Sequence, residues 1–186
     1  DSTVVSKRIT DSTCFALNKS ELLPDTIKKL IGKASVDVFP CNQSIIAVNG
    51  LNWSPRPSLH SYASYTNWLD QKNAEYYTSE RAAEFIIWQI DMLGGKFFSI
   101  DQRYLLNDAP QAMLEFFRAY TLTYRDAHYL IYKKDKLARE FTVRNLTGEN
   151  NERFDHWITV PPCDSNEVLR LKLTIHSNFK GKLKSF

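Results

Sequence analysis

Glycine is scarce in this chain, six among 186 residues, and none of them builds a phosphate-cradling loop. Gly94-Gly95 follows a strand-like run but opens no helix, so the dinucleotide fingerprint is missing and no nucleotide cofactor is expected. The G-x-S-x-G elbow, the Walker loop and H-E-x-x-H are absent as well. Four histidines, His60, His128, His156 and His176, fall at no i, i+4 spacing, so no metal is expected. Three cysteines, Cys14, Cys41 and Cys163, give neither CxxC nor a zinc-ligand spacing. One disulfide, Cys14 with Cys41, fits an oxidising compartment, and buried free thiols fit a reducing one; both stay open.

Long apolar runs are missing too. None approaches the roughly 18 residues that cross a bilayer, and the longest have the length of strands. Charge of one sign is not in excess: 24 basic and 21 acidic residues leave +3. The short basic runs Lys133, Lys134, Lys136, Arg139 and Lys180, Lys182, Lys184 read as solvated faces, and no nucleic-acid partner is expected. The chain opens on Asp1 with no signal pattern behind it, and Val168 to Phe186 reads as strand, turn and the start of another strand; a processed protein or a piece of a longer one is expected.

What is present is an ordinary globular balance, 43% apolar and 24% charged, with a high aromatic share of 13%. A chain of this length buries about 70% of its unfolded surface and builds a core without staples. Leu23, Ile27, Leu30 and Ile31 recur at helical spacing, with Pro24 for a first turn and Gly32 for a stop, predicting a helix over 21–31. Val36 to Phe39 reads as a strand ended by Pro40, and Asn42 to Val48 as a helix closed by Asn49-Gly50. Beyond the loop Trp53-Ser54-Pro55-Arg56-Pro57, residues Ser58 to Ala63 are assigned to a second strand. Thr66 or Asn67 caps a helix through Tyr77 that carries Trp68, Leu69 and Tyr76 on one side.

Glu84 to Ile90 is apolar on both faces, as a central parallel strand should be. Asp108 is assigned as the cap of a helix with Pro110 in its first turn and Met113, Phe116, Phe117 and Tyr120 at i, i+3, i+4 and i+7. His128 to Tyr132 is the last strand of this part. The alternation of helix and strand predicts an α/β domain over 1–134, a four-stranded, mainly parallel sheet with helices on both faces. Arg139 to Arg144, Trp157 to Val160 and Val168 to Ile175 then predict a small antiparallel β-rich segment over 135–186.

The candidate site is the aromatic stretch from Trp53 through Tyr62 and Tyr65 to Trp68, with Arg56 inside it. Ligands of open α/β sheets sit beyond the carboxyl ends of the strands, where Tyr65 and Thr66 would lie, and Asp101, Arg103 and Tyr104 follow the third strand. Aromatic plates ringed by Arg, Asn and Asp suit a sugar or sugar phosphate, so Trp53, Arg56, Tyr62, Tyr65, Asp101 and Arg103 are the candidate ligand-binding residues. The bland reading makes Trp53 and the prolines the wall of a rigid loop, with Arg56 paired to Asp37, Asp70 or Asp101. Four N-x-S/T sequons, at Asn18, Asn42, Asn52 and Asn145, match a short and common pattern.

The runs Val36-Asp37-Val38-Phe39-Pro40, Asn49-Gly50-Leu51-Asn52-Trp53-Ser54-Pro55-Arg56-Pro57, Ser61-Tyr62-Ala63-Ser64-Tyr65-Thr66, Leu69-Asp70 and Ile100-Asp101-Gln102-Arg103 resemble a segment of large bacterial multi-pass membrane proteins. Those are similar to membrane-embedded glycosyltransferases that use lipid-linked sugars. The resemblance covers residues 34–133; this chain has Cys41 where those proteins more often have Trp, and His60 where they have Gln. It implies a non-catalytic domain on the extracytoplasmic, periplasmic side of a bacterial membrane, attached through a transmembrane region outside this chain, with a glycan or lipid-linked sugar as partner. The rivals are a self-contained sugar or phosphate hydrolase using Asp37 or Asp101 with Arg56 and Arg103, and a purely structural or protein-interaction module.

Overall fold

In the computed structural model the described residues are 21–90, 104–146, 151–153, 156–164, 167, 169–172, 174 and 176. Helix α1 (Asp25–Ile31) starts behind Pro24, whose carbonyl accepts from the amides of Ile27 and Lys28, and buries Ile27 and Ile31, one turn apart. It stops at Gly32, where φ is +58°, a conformation that costs a side-chain-bearing residue dearly. Strand β1 (Ser35–Phe39) follows, then a cis Phe39–Pro40 bond, helix α2 (Ser44–Val48) and the turn at Gly50, φ +59°. The two-residue strand β2 (Asn52–Trp53) pairs in parallel with Ser35 and Val36.

Residues 58–63, assigned above to a strand, are instead a turn and a single 3-10 turn, Ser61–Ala63. Pro55 and Pro57 bring no amide hydrogens to a ladder. The amides that follow are satisfied elsewhere: Ser58 donates to Asn73 Oδ1 at 2.9 Å and Ser61 to the Pro40 carbonyl at 3.1 Å. Helix α3 (Asn67–Thr78) is capped by Thr66, whose Oγ1 accepts from the Leu69 amide at 3.2 Å. Its buried face is Asp70, Asn73, Ala74, Tyr76 and Tyr77; Trp68 looks outward, so Trp68, Leu69 and Tyr76 share no common side.

Strand β3 (Phe85–Gln89) pairs in parallel with β1, Val36 opposite Phe85 through Phe39 opposite Trp88. A four-residue helix α4 (Leu105–Asp108) leads into α5 (Pro110–Ala119), which buries Ala112, Met113, Phe116 and Ala119 and runs straight into strand β4 (Tyr120–Arg125). Asp108 is the last residue of α4 and donates no cap to α5 through its side chain; that role falls to Asp70 of α3, whose Oδ2 and Oδ1 accept from the amides of Gln111 and Ala112 at 2.9 and 2.8 Å.

The sheet differs from the predicted one. It has five strands in the order β2-β1-β3-β5-β4, parallel from β2 to β3 and antiparallel from β3 through β5 (Tyr129–Lys134) to β4. Helix α5 returns the chain to run beside β3 but one place further out, and β4 then folds back on itself. Asp126 makes that reversal: its Oδ1 accepts from the amides of His128 and Tyr129 at 2.8 and 2.7 Å, and β5 fills the gap it leaves beside β3.

Two buried clusters lie on opposite faces, as the alternation along the strands requires. Val36, Val38, Phe85, Ile87, Tyr129 and Ile131 meet α1 and α2; Phe39, Ile86, Trp88, Leu130 and Tyr132 meet α3, α4 and α5. The second cluster is strongly aromatic, with Phe116 within 6.4 Å of Phe39, Trp88, Tyr77, Tyr120 and Tyr132, ring centre to ring centre.

The chain divides into two compact units, 1–141 and 142–186. Past Lys134 no described residue belongs to a strand, so Arg139 to Arg144 and Trp157 to Val160 do not form the predicted β segment, while Val168 to Ile175 lies partly outside the described residues. Within the second unit Arg144 meets Glu167 at 2.6 Å. Among the described residues no helix is long and apolar enough to cross a membrane.

Candidate functional site

Asp37 puts a carboxylate on the aromatic face of β1, between the buried Val36 and Val38. Such a charge survives burial only when it is paired and hydrogen-bonded. Arg56 does this. Its Nη1 donates to Asp37 Oδ2 and to the Val38 carbonyl, both at 2.7 Å; its Nη2 donates to the carbonyls of Pro40 at 2.8 Å and Leu59 at 2.5 Å. The guanidinium lies 4.7 Å from the centre of the Phe39 ring, and the indole nitrogen of Trp53 reaches Asp37 Oδ1 at 3.2 Å. Burial works against the guanidinium's charge, but Asp37, by its charge and its hydrogen bond, together with Tyr77 and Tyr76 outweighs it, and the pKa of Arg56 rises above its ordinary value.

Arg56 is 1% exposed and Asp37 0%. All four Nη hydrogens are taken, so Arg56 staples the Pro55–Leu59 loop to the end of β1 and has no charge to offer a ligand. Asp37 is closed in the same way, which removes one of the two carboxylates, Asp37 or Asp101, named for the hydrolase reading. Asp101 and Arg103 lie outside the described residues.

Tyr62 is half-buried. Its hydroxyl stands 2.8 Å from His60 Nδ1, and His60 Nε2 stands 3.1 Å from Gln43 Oε1. Gln43 Nε2 already donates to the Leu59 carbonyl at 2.9 Å, so Gln43 Oε1 accepts, His60 carries its proton on Nε2, and Tyr62 donates to Nδ1. This chain orders the 3-10 turn rather than opening a site. Within the stretch from Trp53 to Trp68 the aromatic residues that do face solvent are Trp53 at 40%, Tyr65 at 80% and Trp68 at 64% exposure. They form no single plate. Trp53 pairs with Val36, well back from the carboxyl end of β1, whereas Tyr65 comes after the chain has passed Pro40 at that end.

Between them runs a groove of about 430 Å³, walled by Pro55 and Pro57 of the loop, by Lys72, Glu75, Tyr76 and Ser79 of α3, and by Arg81. Its volume falls in the range of about 300–1,000 Å³ usual for ligand clefts. The walls are pinned together: Tyr76 donates to the Ser54 carbonyl at 2.5 Å, Ser54 Oγ donates to the Arg81 carbonyl at 2.7 Å, and Asn73 Oδ1 holds the Ser58 amide. Trp68 lies one helical turn before Lys72, and Trp53 two residues before Pro55; both are exposed, but neither lines the groove. The sequence reading missed the helix wall. Its signal was there in the spacing Trp68, Lys72, Glu75, Ser79, an outward stripe at helical period. A smaller cavity of about 120 Å³ lined by Trp88, Tyr104, Leu105, Leu106, Met113 and Phe117 is apolar. Among the described residues no cluster of metal-ligating side chains occurs. Cys41 is half-buried, with burial pushing its thiol pKa up; Cys163 is exposed, and Cys14 lies outside the described residues.

Beneath the groove lie tyrosines that burial keeps protonated. Tyr76 is pushed up to about 12, first by burial and then by Asp37, and burial also raises Tyr77, Tyr120 and Tyr132. In the unfolded chain a tyrosine ionises near pH 10. Above that pH the unfolded state sheds protons that the folded state keeps, so stability is intact below about pH 10 and falls as pH rises through about 12, by roughly 1.4 kcal/mol per pH unit for each such tyrosine. Urea midpoints should be level between pH 8 and 9.5 and drop steeply by pH 11. A level midpoint at pH 11 would show these hydroxyls to be solvent-accessible in the folded state.

Compared with protein-family models, curated proteins and solved structures, the chain matches none.

Proposed function

We propose that this is a non-catalytic domain on the extracytoplasmic, periplasmic side of a bacterial membrane protein, and that it binds or positions a glycan or lipid-linked sugar along the groove between the Trp53–Pro57 loop and α3. The observation that carries the reading is the groove itself, its walls tied by the Tyr76, Ser54 and Asn73 hydrogen bonds, with the exposed Trp53 and Trp68 close to its lining residues in the chain. From Lys72 to Ser79 the helix wall is about 10 Å long at 1.5 Å per residue, enough for a short stretch of sugar chain. Indole faces stack on the apolar faces of sugar rings, and the remaining polar wall groups meet hydroxyls. The resemblance of residues 34–133 to proteins that handle lipid-linked sugars supports the same ligand class and the same side of the membrane.

Titration with envelope oligosaccharides should quench tryptophan fluorescence and shift amide signals along residues 53–57 and 68–81. Trp68→Ala should weaken binding about threefold to tenfold, because Trp68 has no structural duty, whereas Trp53 also bonds Asp37. Silence from every oligosaccharide at millimolar concentration would reject the glycan reading.

A further inference from the structure

We infer that the groove takes an acidic glycan, one carrying a carboxylate or phosphate group, and that Arg81 is the residue that recognises the acidic group. This rests on the groove being the glycan site. The charges lining it are Lys72, Glu75 and Arg81. Lys72 Nζ and Glu75 Oε2 are 2.7 Å apart and cancel one another. Arg81 has no carboxylate partner among the described residues, although acids are close in sequence: Glu84 is taken by Lys133 at 3.6 Å, and Glu80 acts on Lys134. Lys134 donates to the carbonyl of the groove residue Ser79 at 2.5 Å, but Glu80 offsets its charge, so Arg81 is left as the cation of this end.

The groove is therefore lined by an exposed guanidinium whose five donors are unspent. A guanidinium matches the two oxygens of a carboxylate or phosphate in a fork, a geometry that neutral hydroxyls do not complete. What fixes Arg81 in place is its backbone, through the Ser54 Oγ bond to its carbonyl, so its side chain can be removed without touching the wall. Glu75 sets a complementary test. Glu75→Gln releases Lys72 and turns the groove more positive while keeping the helix intact.

The experiment titrates the wild-type protein with three tetrasaccharides followed by amide shifts at fixed ionic strength: neutral maltotetraose, phosphorylated maltotetraose and tetragalacturonate. The expected result is at least tenfold tighter binding of one acidic ligand over the neutral one, lost in Arg81→Ala and increased about twofold to fivefold in Glu75→Gln. Preference for tetragalacturonate assigns a carboxylate, preference for the phosphorylated sugar a phosphate. Equal binding of all three, unchanged in Arg81→Ala, overturns this inference and leaves the glycan reading standing. No shift with any of them overturns both.

Discussion

Arg56→Ala should cost the fold about 3–5 kcal/mol, the usual penalty for stripping one partner from a buried ion pair. Four hydrogen bonds end on that guanidinium, and without it Asp37 is left charged and sealed among aromatic rings while three carbonyls lose a donor. Domains of this size hold only about 5–15 kcal/mol in all. The variant should therefore show a much lower urea midpoint with an unchanged slope. Arg56→Lys should recover little, since an ammonium cannot reach four acceptors held in the plane of a fork. A loss below about 1 kcal/mol would mean that the loop staple is open to water and the pair screened.

Asp70→Ala should be the next most damaging substitution, at about 2–3 kcal/mol. Its buried carboxylate accepts from the first free amides of α5, across from α3, so removing it strands one buried and one half-buried donor and cuts a tie between the two helices that flank the aromatic core. Asp70→Asn keeps one acceptor and should cost about half as much. Asp108→Ala, by contrast, leaves both α5 amide bonds in place. Should hydrogen exchange at the Gln111 and Ala112 amides speed up more in Asp108→Ala than in Asp70→Ala, the assignment of the α5 cap to Asp70 fails.

These two residues also mark what the sequence could and could not convey. Strands β1 and β3 and the helices flanking them were legible because their periodicities are long and their stops, Gly32 and Asn49-Gly50, are chemically specific. An aspartate inside Val36-Asp37-Val38-Phe39 was a sign that a cation must be buried against it, yet nothing local decides whether Arg56 turns inward to that carboxylate or outward to a ligand. The cap on α5 was misassigned because Asp108 stands where a local cap would stand, while the true acceptor is 41 residues away in the chain.

The β4–β5 hairpin was hidden for a different reason. Tyr120 completes the i, i+7 face of α5 as well as it begins a strand, and at the border of the sheet Leu122 is left half in water, which blurs the alternation. Ser58 to Ala63 erred in the other direction, with a strand assigned to a segment that follows Pro55 and Pro57 and whose Ser58 and Ser61 amides are taken by the Asn73 side chain and the Pro40 carbonyl. Of the candidate site, Trp53 and Tyr65 were found as exposed aromatics, but the groove needed the fold. Its helix wall and its loop wall are joined only by Tyr76, Asn73 and Ser54, and no spacing rule brings those together.

The two borders of the sheet bear on how this protein behaves when crowded. A long, flat, unpaired strand edge invites a neighbouring molecule to add its own strand, the first step of ordered aggregation. Here β2 offers two residues before Pro55 and Pro57 end any continuation, and β4 is broken by a register shift between Leu122 and Tyr124. Arg139 closes the start of β4 by donating to the Tyr120 carbonyl and, at 2.7 Å, to Thr121 Oγ1. Neither border presents the straight run of free amides and carbonyls on which a foreign strand could zip, so concentrated protein is protected at the edges of its sheet.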